Sequence, residues 1–307
     1  MSKSQKTELI LATAKSILEL EPNITLRRLH YLLAGSEIKE IYPNTPKQYK
    51  DLSRICTAAR KEGTLEYSLF EDNTRAVITS YSSPDIQNFV DDALNVDLYA
   101  RDRWQDAEIK VELWVEKDGL LSVLRSTANS WQITLRSLHG QSSATAMYRI
   151  AEDFARLPDD MPVHILGFFD MDPAGELGIP VSALSRVKDI LCKKFGTGRE
   201  IHFHRLGFNY EDFELCNVES IDGKPKDTLL RRYYELHGRD AKFAECDALP
   251  KQLMIDRINE KLGSLIDLPK WMAHEAEEEK ERGKLESVKL SLPYLFACLR
   301  EEGAELE

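Results

Sequence analysis

The chain has 307 residues, 42% of them hydrophobic and 30% charged, with a formal net charge of −11. These are ordinary globular values that exclude a disordered or fibrous chain, and the length predicts two domains on a prior of ~100–200 residues each. No window approaches ~18 uninterrupted apolar residues, and the opening MSKSQKTELILATAKSILELEPN lacks the apolar core and small-residue cleavage site of a secretory signal. A soluble, cytoplasmic protein with no membrane partner is expected.

The five cysteines (Cys56, Cys192, Cys216, Cys246, Cys298) are odd in number, scattered and free of any CxxC pair, which argues against a disulfide framework or a zinc site. The charge is unevenly spread. Residues 22–61 hold eight Lys/Arg against three acids, whereas residues 271–307 hold ten acids against five bases. A polyanion needs Lys/Arg contacts, so a nucleic-acid partner would meet the first of these segments.

In chain order, Ile10, Ala14, Ile17 and Leu18 make one stripe of an amphipathic helix over 7–20. A second helix is predicted in 25-TLRRLHYLLAG-35, with Thr25 as N-cap. A third is predicted in 45-TPKQYKDLSRICTAARKEG-63, where Thr45 can cap, Pro46 takes the first helical position and Gly63 can close the end. Tyr49, Leu52, Cys56 and Ala59 form its inward stripe, leaving Lys47, Lys50, Arg54 and Lys61 on other faces. Residues 64-TLEYSLFEDNTRAVITSY-81 read as one or two short β segments around Asp72-Asn73. Three helices and a hairpin outline a winged helix, whose third helix lies against DNA.

From about residue 106 the pattern alternates strands and helices. Strands are predicted in 109-IKVELWVEKDGLL-121, ending at Glu116, in 133-ITLRSL-138, 163-VHILGFF-169 and 201-IHFHRL-206; helices are predicted over 141–157, 181–195 and from Pro250. The near-continuous apolar run at 163–169 suits a parallel strand covered on both faces. The fold class expected is α/β, a parallel sheet flanked by helices. The Glu/Lys-rich stretch 275–289 reads as a solvated helix.

In open α/β sheets ligands collect beyond the carboxyl ends of the strands. Glu116 ends one strand, Asp170 another, and Asp172 follows in 170-DMDPAG-175, so three carboxylates can converge there. Hard oxygen donors without sulfur or imidazole suit Mg2+ or Mn2+, and such an ion polarises a phosphoryl group. Gly140 in 139-HGQSS-143 and Lys117 could each contact a phosphate. His202 and His204 share one strand face, but without a neighbouring carboxylate or thiolate they read as structural. Glu245 and Asp247 in 245-ECDALP-250 could add carboxylates; an ordinary loop before the next helix is the alternative.

Glu116 at one strand end and Asp-x-Asp-Pro-x-Gly at another, after a winged-helix-like segment, resembles the Toprim domain of the topoisomerase VI A subunit and the related meiotic double-strand-break protein. That resemblance covers roughly residues 5–180. It implies a metal triad of Glu116, Asp170 and Asp172, and 25-TLRRLHY-31 matches the family's nucleophile stretch at Thr25, Arg27 and Tyr31, with His30 standing where Tyr or Phe is usual. Residues 201–265 resemble a group of compact bacterial and phage Toprim proteins. The implied division is a winged-helix domain over 1–105, a Toprim domain over 106–270 and an acidic helical extension over 271–307.

The implied activity is Mg2+-dependent DNA strand cleavage, by attack of Tyr31 to leave a 5′-phosphotyrosyl link or by metal-activated water. Arg27 or Arg28 would ease ionisation of the phenol, and Arg27, Arg28, Lys47, Lys50, Arg54, Lys117 and Gly140 would hold DNA. A homodimer is implied, in which the Tyr of one protomer meets the metal of another. The chain carries no Walker-type Gly-rich loop, so strand passage would need a separate ATPase subunit. A non-catalytic DNA-binding module, or an RNA-processing or primase-like Toprim enzyme, is the alternative.

Overall fold

The structure, a computed structural model, describes residues 3–70, 83–138, 143–222 and 228–304. In chain order, helices α1 (Lys3–Leu20), α2 (Leu26–Ala34), α3 (Pro46–Lys61) and α4 (Ile86–Ala93) precede strand β1 (Lys110–Val115). There follow α5 (Gly119–Ser130), β2 (Thr134–Ser137), α6 (Ala144–Ala155), β3 (Val163–Phe168), α7 (Ile179–Ile190), β4 (Ile201–Arg205), the short α8 (Asp212–Leu215), α9 (Leu230–His237), α10 (Lys251–Leu265) and α11 (Leu268–Ala304). By packing, the chain forms two compact units: Met1–Arg75 with Glu108–Lys261, and Ala76–Ala107 with Leu262–Glu307.

In the first unit, α1 to α3 share one core. Ile10, Ala14 and Leu18 of α1 meet Leu29 and Leu33 of α2 and Leu52, Cys56 and Ala59 of α3. Each buried Leu or Ile there contributes roughly 2 kcal/mol of apolar transfer. The helix starts follow local chemistry: Thr25 accepts from the Arg28 N–H and Thr45 from the Gln48 N–H, with Pro46 at the first turn. Gly63, at φ 73°, takes the left-handed conformation just past α3. Tyr49, expected inward, is exposed and stacks edge-on to His30 instead. Of the β segments expected over 64–81, Tyr67–Leu69 is a single 3-10 turn, and Phe70 makes an isolated parallel bridge with Ile24. Residues 71–82 lie outside the described residues.

The same unit holds a four-stranded, fully parallel sheet in the order β2-β1-β3-β4. One face buries Trp114, Ile165, Phe169 and Ile201 against Met147, Ile150 and Phe154 of α6 and Val187 of α7. The alternate positions Val111, Leu113, Val115, Leu166 and Phe168 are buried as well, so β3 is the doubly covered strand that its near-continuous apolar run predicts, and β1 is buried on both faces too. Ser143 caps α6 through the Ala146 N–H. Single π-helical turns, Ala174–Gly178 and Leu191–Phe195, flank α7, and such turns collect at functional sites.

The second unit combines α4 and the segment 95–107 with α11. The acidity of α11 is largely answered within the unit. Arg103 reaches Glu278 (3.1 Å) and Glu275 (3.0 Å), Arg101 reaches Glu281 (2.7 Å), and Trp104 packs edge-on to Trp271 at 5.4 Å. Among the described residues no helix is long and apolar enough to cross a membrane.

Candidate active site at the carboxyl edge of the sheet

Strands β1 and β3 lie side by side with Val115 opposite Phe168, so the residues that follow leave the sheet at one edge. The Glu116 N–H donates to the Phe168 carbonyl at 3.0 Å, and Glu116 Oε2 accepts from the Asp170 N–H at 3.0 Å. Beyond Asp170 the chain reverses: Asp172 Oδ1 accepts from the Gly175 N–H at 2.7 Å, and the π turn begins. Position 175 must be glycine, because a Cβ there would sit 2.4 Å from the Asp170 carbonyl oxygen and 2.9 Å from Glu116 Oε2. Arg205, at the end of β4, donates to the carbonyls of Asp170 (2.6 Å), Gly175 (3.0 Å) and Phe208 (3.1 Å) and clamps this turn.

Asp170 is the buried centre of the cluster, 3% exposed. Its Oδ1 accepts from the Cys246 N–H at 2.8 Å, and its Oδ2 lies 2.6 Å from the Lys117 ammonium. Burial pushes the Asp170 carboxyl upward; Lys117 opposes that, and the nearby Glu116 and Glu245 add to it. Lys117 also reaches Glu245 Oε2 at 2.7 Å. Glu245 comes to this place through an antiparallel bridge between Met171 and Ala244, with N–H to O distances of 2.8 and 3.0 Å. Burial alone would raise Glu245, but Lys117, Tyr31 and Arg27 hold it below the usual carboxylate range.

Tyr31, on α2, belongs to the same network within one chain. Arg27 Nη2 donates to the Tyr31 hydroxyl at 3.1 Å and to Glu245 Oε1 at 3.2 Å. Burial first, then Glu245, pushes the Tyr31 phenol well above its ordinary range in spite of Arg27. Arg27 does ease ionisation of the phenol, as expected, but burial and Glu245 outweigh it, and Arg28 takes no part. Arg28 is not at the site at all. It is fully buried, with Nε on Glu21 (2.9 Å) and its terminal nitrogens on the carbonyls of Asp247 (3.2 Å) and Leu249 (3.3 Å), so it holds α2 to the 245–249 loop and cannot meet a phosphate. His30 stands inside, its ring nitrogens 2.7 Å from Tyr42 Oη and 3.0 Å from Asn44 Oδ1.

Lys47, Lys50 and Arg54 are exposed on the outer side of α3, where Arg54 pairs with Asp51. Lys117, expected at a phosphate, is instead the counter-ion between Asp170 and Glu245. Gly140 lies outside the described residues. Sequence reasoning left Glu245 as one option in a loop and did not find Arg205; a lone Arg ending a strand and a Glu before Cys-Asp carry no local signal. A cavity of about 460 Å³ opens beside Tyr31 and Glu245, lined also by Arg27, Asn44, Tyr49 and Asp222.

Glu116, Asp170 and Asp172 are hard oxygen donors of the type that suits Mg2+ or Mn2+, and the Lys117 ammonium already neutralises Asp170. Among the described residues, no three His, Cys, Asp or Glu side chains stand ready to hold an ion as placed. Glu116 Oε2 and Asp172 Oδ1 face backbone N–H groups, and Asp170 Oδ2 is paired with Lys117. No protein-family model matches the chain, and no curated protein matches it either.

Proposed function

We propose that the chain is a Toprim-like, metal-dependent DNA strand-cleaving enzyme with a winged-helix-like N-terminal segment. The observation that carries this reading is the meeting of Glu116 and Asp170 at the carboxyl edge of a parallel sheet, with Tyr31 joined to them through Arg27, Glu245 and Lys117. Glu116, Asp170 and Asp172 would hold Mg2+, which supplies neutralisation of a phosphoryl group. Arg27 and Lys117 would bind the phosphate, and the exposed Lys47, Lys50 and Arg54 would follow the DNA backbone. The Tyr31 hydroxyl, which accepts from Arg27 at 3.1 Å, would stand beside that phosphate. A homodimer and a separate ATPase subunit belong to this reading as partners.

The test is incubation of supercoiled plasmid with the purified protein and Mg2+ or Mn2+. Nicking or linearisation is expected, with loss of at least ~100-fold in Glu116→Ala and Asp170→Ala. No cutting by the wild-type chain returns the protein to a DNA-binding module, and cutting of RNA or primer synthesis returns it to the alternative Toprim activities. The raised Tyr31 phenol favours a second, hydrolytic route. Cleavage that persists in Tyr31→Phe without protein-linked 5′ ends selects that route.

A further inference from the structure

Three polar groups of different kinds stand around the carboxylate of Glu245. Arg27 Nη2 lies 3.2 Å from Oε1 and 3.4 Å from Oε2, Lys117 Nζ lies 2.7 Å from Oε2, and the Tyr31 hydroxyl, which accepts from the same Arg27 nitrogen at 3.1 Å, lines the same cavity. A guanidinium, an ammonium and a hydroxyl around one anion are the donor set that recognises a phosphate. The carboxylate is not needed to shape its loop. The Met171 and Ala244 backbones pair without it, and the Glu245 carbonyl accepts the Ala248 N–H at 3.0 Å. The cavity of about 460 Å³ opens directly onto Arg27, Tyr31 and Glu245, so an incoming group reaches Arg27 and Tyr31, with Lys117 behind Glu245, and a displaced side chain has room.

We propose that the Glu245 carboxylate fills, in the resting chain, the position that a nucleic-acid phosphate takes beside Tyr31, and that Glu245 is thus an internal competitor of the substrate. The identity of the ligand as nucleic acid rests on the proposed function. A phosphodiester and a carboxylate each carry one negative charge, so the exchange leaves the balance around Arg27 and Lys117 unchanged. The carboxylate moves into the cavity, and Lys117 stays between the phosphate and Asp170.

The experiment measures binding of a short labelled duplex oligonucleotide in EDTA, where nothing is cut, by fluorescence anisotropy. Glu245→Gln should bind about tenfold more tightly than wild type, whereas Glu37→Gln, an exposed carboxylate elsewhere, should change affinity less than about twofold. The gain should disappear in Arg27→Gln/Glu245→Gln, because the competitor and the phosphate use the same guanidinium. Inorganic phosphate should raise the thermal midpoint of Glu245→Gln more than that of wild type. Unchanged or weaker binding by a folded Glu245→Gln protein overturns the proposal, as does a gain that survives loss of Arg27. Should Glu245→Gln not fold, Glu245→Asp, with its shorter reach, should show a smaller gain of the same sign, and no gain overturns the proposal. If wild type cuts plasmid and the Gln variant shows no gain, this proposal falls alone. If the gain is present and nothing is ever cut, the cleavage reading falls and this one stands.

Discussion

At its carboxyl end β3 delivers Asp170 into a cluster with Glu116, Glu245 and Lys117; at its amino end it delivers His164 against His202 and His204 of β4. The two clusters handle ionisable groups in opposite ways. At the carboxyl end opposite charges are paired, with Lys117 held 2.6 Å from Asp170 and 2.7 Å from Glu245. At the amino end like groups meet, and burial pushes His164 and His204 toward the neutral form. His164 Nδ1 and His204 Nε2 sit 3.0 Å apart, the His164 and His202 rings 4.6 Å apart, and burial together with Lys261 and the neighbouring imidazoles lowers His204 to about 4. Lys117 and Glu245 keep their charges through their pairing while burial raises Asp170, whereas His164 and His204 are pushed toward the neutral form.

The largest expected effect breaks the paired end through its backbone. Gly175→Ala puts a Cβ 2.4 Å from the Asp170 carbonyl oxygen, and a destabilisation of about 3 kcal/mol is expected from such overpacking. A urea midpoint equal to wild type would show that the turn can yield and that the Asp170 position is not tightly set.

A smaller loss is expected from Lys117→Met, which leaves Asp170 and Glu245 without their shared ammonium. Removing one partner of a buried pair costs ~3–5 kcal/mol, but the Lys117 side chain is 29% exposed and screening reduces this to roughly 2. Adding Asp170→Asn should recover part of that loss in a double-mutant cycle. Strict additivity would mean the two groups are not coupled.

The smallest effect tests the discharged end. An unfolded chain protonates His204 near 6.5 and the folded chain only near 4, so the unfolded state holds the extra proton between those values. The stability linked to His204 is present above pH 6.5 and is lost as pH falls toward 4. Thermal midpoints of His204→Asn should therefore depend less on pH across that window than those of wild type. An unchanged slope would assign the acid sensitivity to other groups.

Much of the fold could be read locally. Thr25 and Thr45 announced two helix starts because a cap needs only a side chain and an N–H three residues on. The apolar run of β3 and the alternation of strands with helices announced a buried parallel sheet. Its carboxyl edge followed, with Glu116 and Asp170 on it. The hairpin expected around Asp72-Asn73 falls on residues outside those described.

What the tertiary structure alone decided is who neutralises whom. Arg27 and Arg28 are neighbours in sequence, yet one faces Tyr31 and Glu245 while the other is sealed against Glu21 and two distant carbonyls. Lys117 finds Glu245 across 128 residues, through a two-residue bridge between Met171 and Ala244 that no local pattern predicts. Residues 76–107 likewise pack with 262–307 through Arg-Glu pairs made by separate segments. Caps and periodicities depend on groups a few residues apart, so the sequence carries them. The partner of a buried charge depends on which segments the completed core brings within about 3 Å, the range at which pairing offsets desolvation, and only the folded chain sets that distance.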